Sequence, residues 1–312
     1  MEIRRGVASL PIDDGPTVVT VGFFDGVHLG HRAVIEQTVQ AARERSARAV
    51  AVTFDRHPRE ILTPGKEPRL LTTVDRKAEL IAATGADVLL ILGFTEAFSR
   101  WTAEAFVRTV LVNGLHAVHV AVGGDFTFGH RAAGTLQTLH ELGASLGFTA
   151  EEVAPFELDG RRLSSSSIRE ALSAGDLEWP TRALGRRYSV DGTVVSGAGR
   201  GHGLGFPTAN LRTSPRLLLP GTGIYAGRAG SARGEYVAAV SVGTNPTFGV
   251  EPLHVEAYLL DFGDGDLRGQ DLTVEFWERL RDEERFGSTE DLIRAMEDDV
   301  RRTRGIVPPV GG

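Results

Sequence analysis

The stretch "TVVTVGFFDGVHLGHRAVIEQTVQAARERSA", Thr17 to Ala47, joins two periodicities through an acidic, glycine-containing turn. "TVVTVGFF" (Thr17–Phe24) is a run of β-branched and apolar residues, which predicts a buried strand. From about His31 the apolar residues Val34, Ile35, Val39 and Ala42 make one helical stripe, while Arg32, Glu36 and Arg43 point away. The pattern then repeats: strand-like "RAVAVTF", helix-like "VDRKAELIAATG", strand-like "DVLLILGF", helix-like "TAEAFVRTVLVNG", strand-like "HAVHVAVGG", helix-like "TLQTLHELGASLG" and strand-like "FTAEEVAPF". Such alternation predicts βαβ units, hence an α/β domain whose mostly parallel sheet is covered by helices on both faces.

After Asp176 the helical periodicity gives way to short alternating strands separated by glycine-rich turns. The segments "RYSVDGTVVS", "TANLRT", "GIYAGRAG", "EYVAAVSVG", "HVEAYLLDF" and "DLTVEFWERL" suit a small all-β barrel or sandwich. "STEDLIRAMEDDVRRTRG" opens on Ser288 as a cap, has acids in its first turn and stops at Gly305, which predicts a closing helix. Only "IVPPVGG" at the end is expected to be disordered. At 312 residues two domains are expected, 1–182 and 183–312, with the boundary inside "GDLEWPTRALGRR".

Composition narrows the function classes. The absence of cysteine removes thiol nucleophiles, redox pairs and Cys-rich zinc sites, and fits a reducing cytoplasm. The N-terminus lacks the apolar core of a signal peptide, and the longest apolar runs, such as "VLLILGF" (Val88–Phe94), fall short of the roughly 20 residues a membrane span needs. A cytoplasmic protein with no membrane partner is therefore expected. A net charge of −7 makes nucleic acid a poor partner, and self-association is left open. Lys66 and Lys77 are the only lysines, so arginine is the general-purpose cation and carries information only inside a motif.

"GFFDGVHLGH" (Gly22–His31) lies where the first strand ends and its helix begins, the edge at which open α/β sheets bind ligands. Free N–H groups and a positive partial charge favour an anion there. His28 and His31 can donate to phosphate oxygens, and Gly30 removes a Cβ that would hold a nucleotide away from the backbone. Two other readings stand beside this one: His28, His31 and Asp25 as a zinc site, and a turn with incidental histidines. Neither a P-loop "GxxxxGK[ST]" nor a "GxGxxG" fingerprint occurs after this strand, so a nucleotide site must use other groups.

Further along, "LSSSSIREAL" (Leu163–Leu172) places hydroxyls at another helix start with an Arg one turn in, suited to clamping a pyrophosphate but also to a plain cap. In "GAGRGHGLGFPTANL" (Gly197–Leu211) five glycines and a proline allow a backbone that wraps phosphates through inward N–H groups. Thr208 and Asn210, i and i+2, share a face on a strand and can both aim oxygens at a hard cation. Glu256 lies in a strand with Val255, Ala257 and Leu259 as alternating neighbours, and on residue type alone it faces solvent.

"GFFDGVHLGH" and "LSSSSIREAL" resemble the two signatures of the HxGH adenylyltransferases, which have a Rossmann-like fold. "TFDRHP", "VGGDFTFGHRAAG", the flavokinase-like "GFPTAN", "GIYAG", "SVGTNPTFG", "HVEAYLLDF" and "LRDEERFGS" resemble, in order, one branch of that superfamily, the prokaryotic bifunctional riboflavin kinase and FAD synthetase family. The resemblance implies a C-terminal barrel with a closing helix that makes FMN from riboflavin and ATP. It implies an N-terminal domain that makes FAD and pyrophosphate from FMN and ATP, with Mg²⁺ in both steps. It implies that Gly22, Phe23, Asp25, His28, Gly30, His31, Arg162, Ser165, Ser166 and Arg169 handle ATP in the first domain, and that His57, Asp125 and Phe126 hold FMN. In the second domain it implies ATP at Gly201, Gly203, Gly205, Phe206, Pro207, Thr208 and Asn210, metal at Thr208 and Asn210, flavin at Arg285 and Phe286, and Glu256 as general base. Ser166 stands where the signature has threonine, and Arg131 is displaced from its expected place and receives no role. The other readings are an HxGH transferase of a different acceptor with an accessory barrel, and a flavin-binding sensor without turnover.

Overall fold

Six strands form a wholly parallel first sheet: β1 (Glu2–Arg5), β2 (Thr17–Val21), β3 (Arg48–Phe54), β4 (Val88–Leu92), β5 (Ala117–Gly123) and β6 (Thr149–Val153). Their spatial order is β1-β4-β3-β2-β5-β6. The structure, a computed structural model, describes residues 1–12, 15–197, 205–244, 253–263 and 265–310. These fall into two compact units, Met1–Arg69 with Val74–Ser165, and Leu70–Thr73 with Ser166–Gly312. That division lies ahead of the expected boundary at residue 182.

In the first unit the helices are α1 (Leu29–Glu44), α2 (Arg59–Leu62), α3 (Val74–Ala82), α4 (Glu96–Ser99), α5 (Ala103–Phe106) and α6 (Leu136–Leu146). Strand alternation divides the core into two layers. Val19, Val21, Val50, Val52, Leu90 and Val122 pack on one side with Val107, Leu111 and Leu139, and Val18, Ala49, Ala51, Leu89 and Ile91 pack on the other with Ile35, Val39 and Ile81. Each fully buried Val, Leu or Ile contributes roughly 1.5–3 kcal/mol, so a sheet covered on both faces is strongly favoured. Chain order reverses between β2 and β5, which makes their C-terminal ends a switch point with room for a ligand.

The first unit also has a hairpin of β7 (Glu157–Leu158) and β8 (Arg161–Arg162), and the second contains α7 (Ser165–Ser173), which starts on the last residue of the first, and α8 (Glu178–Leu184). Its strands β9 (Ser189–Val195), β10 (Ala209–Thr213), β11 (Gly223–Ser231), β12 (Gly234–Gly243), β13 (His254–Leu259) and β14 (Asp271–Arg281) close an antiparallel barrel. Leu70 joins this unit because its N–H donates to Arg216 O at 2.7 Å and its carbonyl accepts from Leu218 at 2.8 Å. The closing helix α9 (Thr289–Ile306) starts at Ser288, whose Oγ accepts from the Asp291 N–H at 3.1 Å.

Three expectations need correction. Helix α9 runs through Gly305 to Ile306, and Val307, 1% exposed, packs with Ala226 and Leu280, so the "IV" of the expected disordered tail is part of a core. The helix expected over "TAEAFVRTVLVNG" is α-helical for one turn and π-helical over Val107–Val112. Strand β1 had no counterpart in the sequence reading, because the alternation of "EIRR" is mostly charged; as an edge strand it needs to bury little.

Candidate active sites

The first site is built on the C-terminal ends of β2, β3 and β5. His28 is the N-cap of α1, and its Nδ1 accepts from the His31 N–H at 3.2 Å. Because Nδ1 accepts, the neutral ring carries its proton on Nε2. The two imidazoles stack at 3.6 Å between centroids, and Phe24 meets His31 edge-on at 5.4 Å. Gly22 and Gly30 serve this packing. A Cβ on Gly22 would lie 2.6 Å from the Phe24 ring, and one on Gly30 would lie 3.2 Å from the His28 ring. A side chain at Gly30 would therefore press on the His28 ring.

Phe23 meets His57 edge-on at 4.8 Å, so the ends of β2 and β3 are joined through side chains as well as the ladder. His57 Nδ1 accepts from the Arg59 N–H at 3.1 Å. Asp25 is 2% exposed, within electrostatic reach of Lys77, so this expected ATP residue lies inside the turn. Ser165, the last residue of the first unit, donates its hydroxyl to the Asp25 carbonyl at 3.0 Å. Ser166 is exposed and Arg169 half-buried, both on α7. Arg162 and Asp125, expected on different substrates, pair with each other at 2.9 Å, and Phe126 stacks on Phe128 at 5.3 Å. No group of three or more His, Cys, Asp or Glu among the described residues is placed to hold a metal.

The second site lies on the barrel. Register puts Glu256 of β13 opposite Asn210 of β10 and Ser241 of β12. Thr208 Oγ1 donates to Glu256 Oε2 at 3.0 Å, and His254 Nε2 stands 3.3 Å from Oε1, so the half-buried carboxylate is held from both sides. This corrects the solvent-facing reading of Glu256 by residue type. Thr208 directly precedes β10; it and Asn210 flank the buried Ala209 and both face Glu256, and Asn210 Nδ2 donates to Thr208 O at 3.5 Å. A Cβ on Gly197 would collide with the Asn210 amide, so that glycine admits Asn210.

Two hollows meet here. An open cleft of about 820 Å³ is lined by Ser196, Gly197, Gly205, Pro207 and Arg268. A smaller, more apolar cavity of about 270 Å³ is lined by Glu256, Val240, Phe286, Leu292 and Met296, with Phe206 at its edge. Thr208 and Tyr258 line both. Gly201 and Gly203 lie outside the described residues. Phe286 lines the cavity, whereas Arg285 is exposed and is not among the lining residues; a different cation, Arg281, sits 5.5 Å from the Phe286 ring and is bound to buried Asp299 at 2.7 Å. Sequence reasoning missed the α9 residues Leu292 and Met296, since their burial depends on where that helix docks.

The FAD synthetase family matches residues 11–167 and the riboflavin kinase family residues 184–307. The chain is 37% identical over 99% of both lengths to the bifunctional riboflavin kinase/FMN adenylyltransferase of Pseudomonas fluorescens. It belongs to that bifunctional family. The corresponding enzyme of Listeria monocytogenes is 36% identical over 92% of this chain and 91% of its own. A solved structure from Streptococcus pneumoniae, described as a macrolide-efflux protein, superposes with a TM-score of 0.88 at 28% identity, covering 98% of this chain and 100% of that one. Among the described residues no helix is long and apolar enough to cross a membrane. The chain is therefore a two-module transferase, with an FAD synthetase module first, a riboflavin kinase module second, and ATP as co-substrate of both.

Proposed function

We propose that riboflavin phosphorylation takes place where the two barrel hollows meet, and that adenylyl transfer takes place at the His28 and His31 turn. The observation that carries the kinase assignment is the 3.0 Å bond from Thr208 to Glu256, which joins the Pro-Thr-Ala-Asn segment to a strand carboxylate. Riboflavin sits in the apolar cavity against Phe286 and Met296, and ATP lies in the open cleft beside Gly205 and Pro207. Glu256 takes the proton from the 5′-hydroxyl as its oxygen forms a bond to the γ-phosphorus and the bond to ADP breaks. Thr208 holds the carboxylate in place for that transfer through its bond to Oε2.

The donor set fits Mg²⁺. Thr208 Oγ1 and the Asn210 amide oxygen are hard ligands, and the Nδ2 contact to Thr208 O together with the Gly197 backbone orients that amide. Thr208 and Asn210 would hold Mg²⁺ there, and it would supply charge neutralisation to the ATP phosphates.

In the first module the nucleophile is the FMN phosphate, already an anion, so alignment and charge stabilisation suffice. Its oxygen bonds to the α-phosphorus of ATP and the bond to pyrophosphate breaks. His28 donates from Nε2, the nitrogen left protonated by its capping role, and His31 and the α1 N-terminus complete the anion site. His57, Asp125 and Phe126 hold FMN. The absence of cysteine and the net charge of −7 support a cytoplasmic enzyme that works on small molecules. The test is chromatography of products from the intact chain given riboflavin, ATP and Mg²⁺: both FMN and FAD are expected, and FMN alone would reject the adenylyl-transfer assignment.

A further inference from the structure

Lys77 stands outside every motif that carries the two activities. Helix α3 delivers it into the interior, where it is 2% exposed. Its Nζ donates to Phe23 O at 2.9 Å, to Phe54 O at 3.2 Å and to Thr53 Oγ1 at 3.1 Å, and lies 4.2 Å from the centroid of the Phe23 ring. The Thr53 hydroxyl in turn donates to Phe23 O at 3.0 Å. These acceptors stand at the C-terminal ends of β2 and β3, the two strands that carry the His28 turn and His57.

Immediately after Phe23 the backbone enters the left-handed region at Phe24 (φ 52°) and again at Val27 (φ 40°), both residues buried. For a β-branched residue this conformation is an outlier, and such strain persists only where the surroundings over-determine it. The doubly bonded Phe23 carbonyl is the anchor directly upstream of that strain.

We propose that Lys77 is a positioning residue for adenylyl transfer: its ammonium ties the Phe23 carbonyl to the end of β3, and so holds the turn that presents His28 and His31. This rests on the reading that adenylyl transfer takes place at that turn. Three acceptors use all three N–H groups of an ammonium, whereas a neutral amine has two and turns a lone pair toward an oxygen. The charged groups that face Lys77 are Asp25, from the turn after β2, and Asp55, at the end of β3; both favour its charge. Its neighbours on α3, Arg76 and Glu79, pair with each other at 2.7 Å. Burial outweighs the two aspartates and lowers Lys77 from its ordinary 10.5 to about 8.

Activity and stability should therefore move in opposite directions. Between pH about 8 and 10.5 the unfolded chain holds more protons than the folded one, so the contribution of Lys77 to stability rises with pH across that window. Over the same range the ammonium that holds the turn is lost. A purely structural lysine would give no fall in turnover while stability increased.

The experiment uses the full chain, measuring FAD formation from FMN and ATP with Mg²⁺ from about pH 6.5 to about pH 9.5, with thermal unfolding in parallel. The wild type is expected to lose kcat above pH about 8 without a lower unfolding midpoint. Lys77→Met is expected to lower kcat on the order of 100-fold at neutral pH, to change KM for FMN and ATP by less than about threefold, and to abolish the alkaline fall. Riboflavin phosphorylation should stay unchanged. A folded Lys77→Met protein with kcat within about threefold of wild type, or with the alkaline fall intact, overturns the proposal. Should Lys77→Met not fold, Thr53→Val serves instead: about a tenfold loss of kcat supports the clamp, and wild-type kcat together with a flat wild-type profile overturns it. Retained FAD synthesis in His28→Ala would instead reject the placement of the reaction at this turn, a result distinct from any outcome at Lys77.

Discussion

At the barrel site the side chains assigned to the chemistry bond to one another, whereas at the sheet-edge site they bond mainly to backbone. Thr208 and His254 hold Glu256 directly. His28 instead caps α1, Ser165 bonds to the Asp25 carbonyl and Lys77 to the Phe23 carbonyl. On the proposed roles, the two nucleophiles account for the difference. An alcohol needs a base, and a base must be oriented by neighbours; a phosphate needs donors in place, and backbone geometry places them.

If the two sites are separate in this way, each can be silenced alone. Glu256→Gln should lower riboflavin phosphorylation on the order of 10²–10⁴-fold while FAD formation from FMN stays intact, as product chromatography from each starting flavin would record. His28→Ala should cost FAD formation roughly 10²–10³-fold and spare FMN formation. Loss of both activities in either folded variant would break the comparison.

Two smaller substitutions sharpen it. Gly22→Ala forces the Phe24 ring, buried against His31, to move, so a stability loss of about 1–3 kcal/mol is expected by thermal unfolding, with FAD formation falling and FMN formation unchanged. Ser288→Ala removes the cap of α9, whose Leu292 and Met296 line the barrel cavity. About 1 kcal/mol of stability should go, with a modest rise in KM for riboflavin and no change in KM for FMN in the second reaction.

Much of the fold was legible because its signals are local. The expected strand "RAVAVTF" is β3 residue for residue, and the alternation in "HVEAYLLDF" marks the buried Val255, Ala257 and Leu259 of β13. What was hidden depends on long-range docking. Val307 sits in a proline-rich tail by composition, yet the barrel buries it. Lys77 is one of two lysines in an arginine-rich chain, a faint signal, and nothing near it in sequence names its three acceptors.

The sequence by itself determined the parallel sheet, the six-stranded all-β region, the closing helix and the two sets of motifs, since periodicity and motif spacing act over a few residues. Tertiary structure alone decided that Thr208 reaches Glu256 across 48 positions and that Lys77 reaches Phe23 across 54. Such contacts arise from strand register and from the helix face that packs against the sheet, and those are set by burial of the whole core.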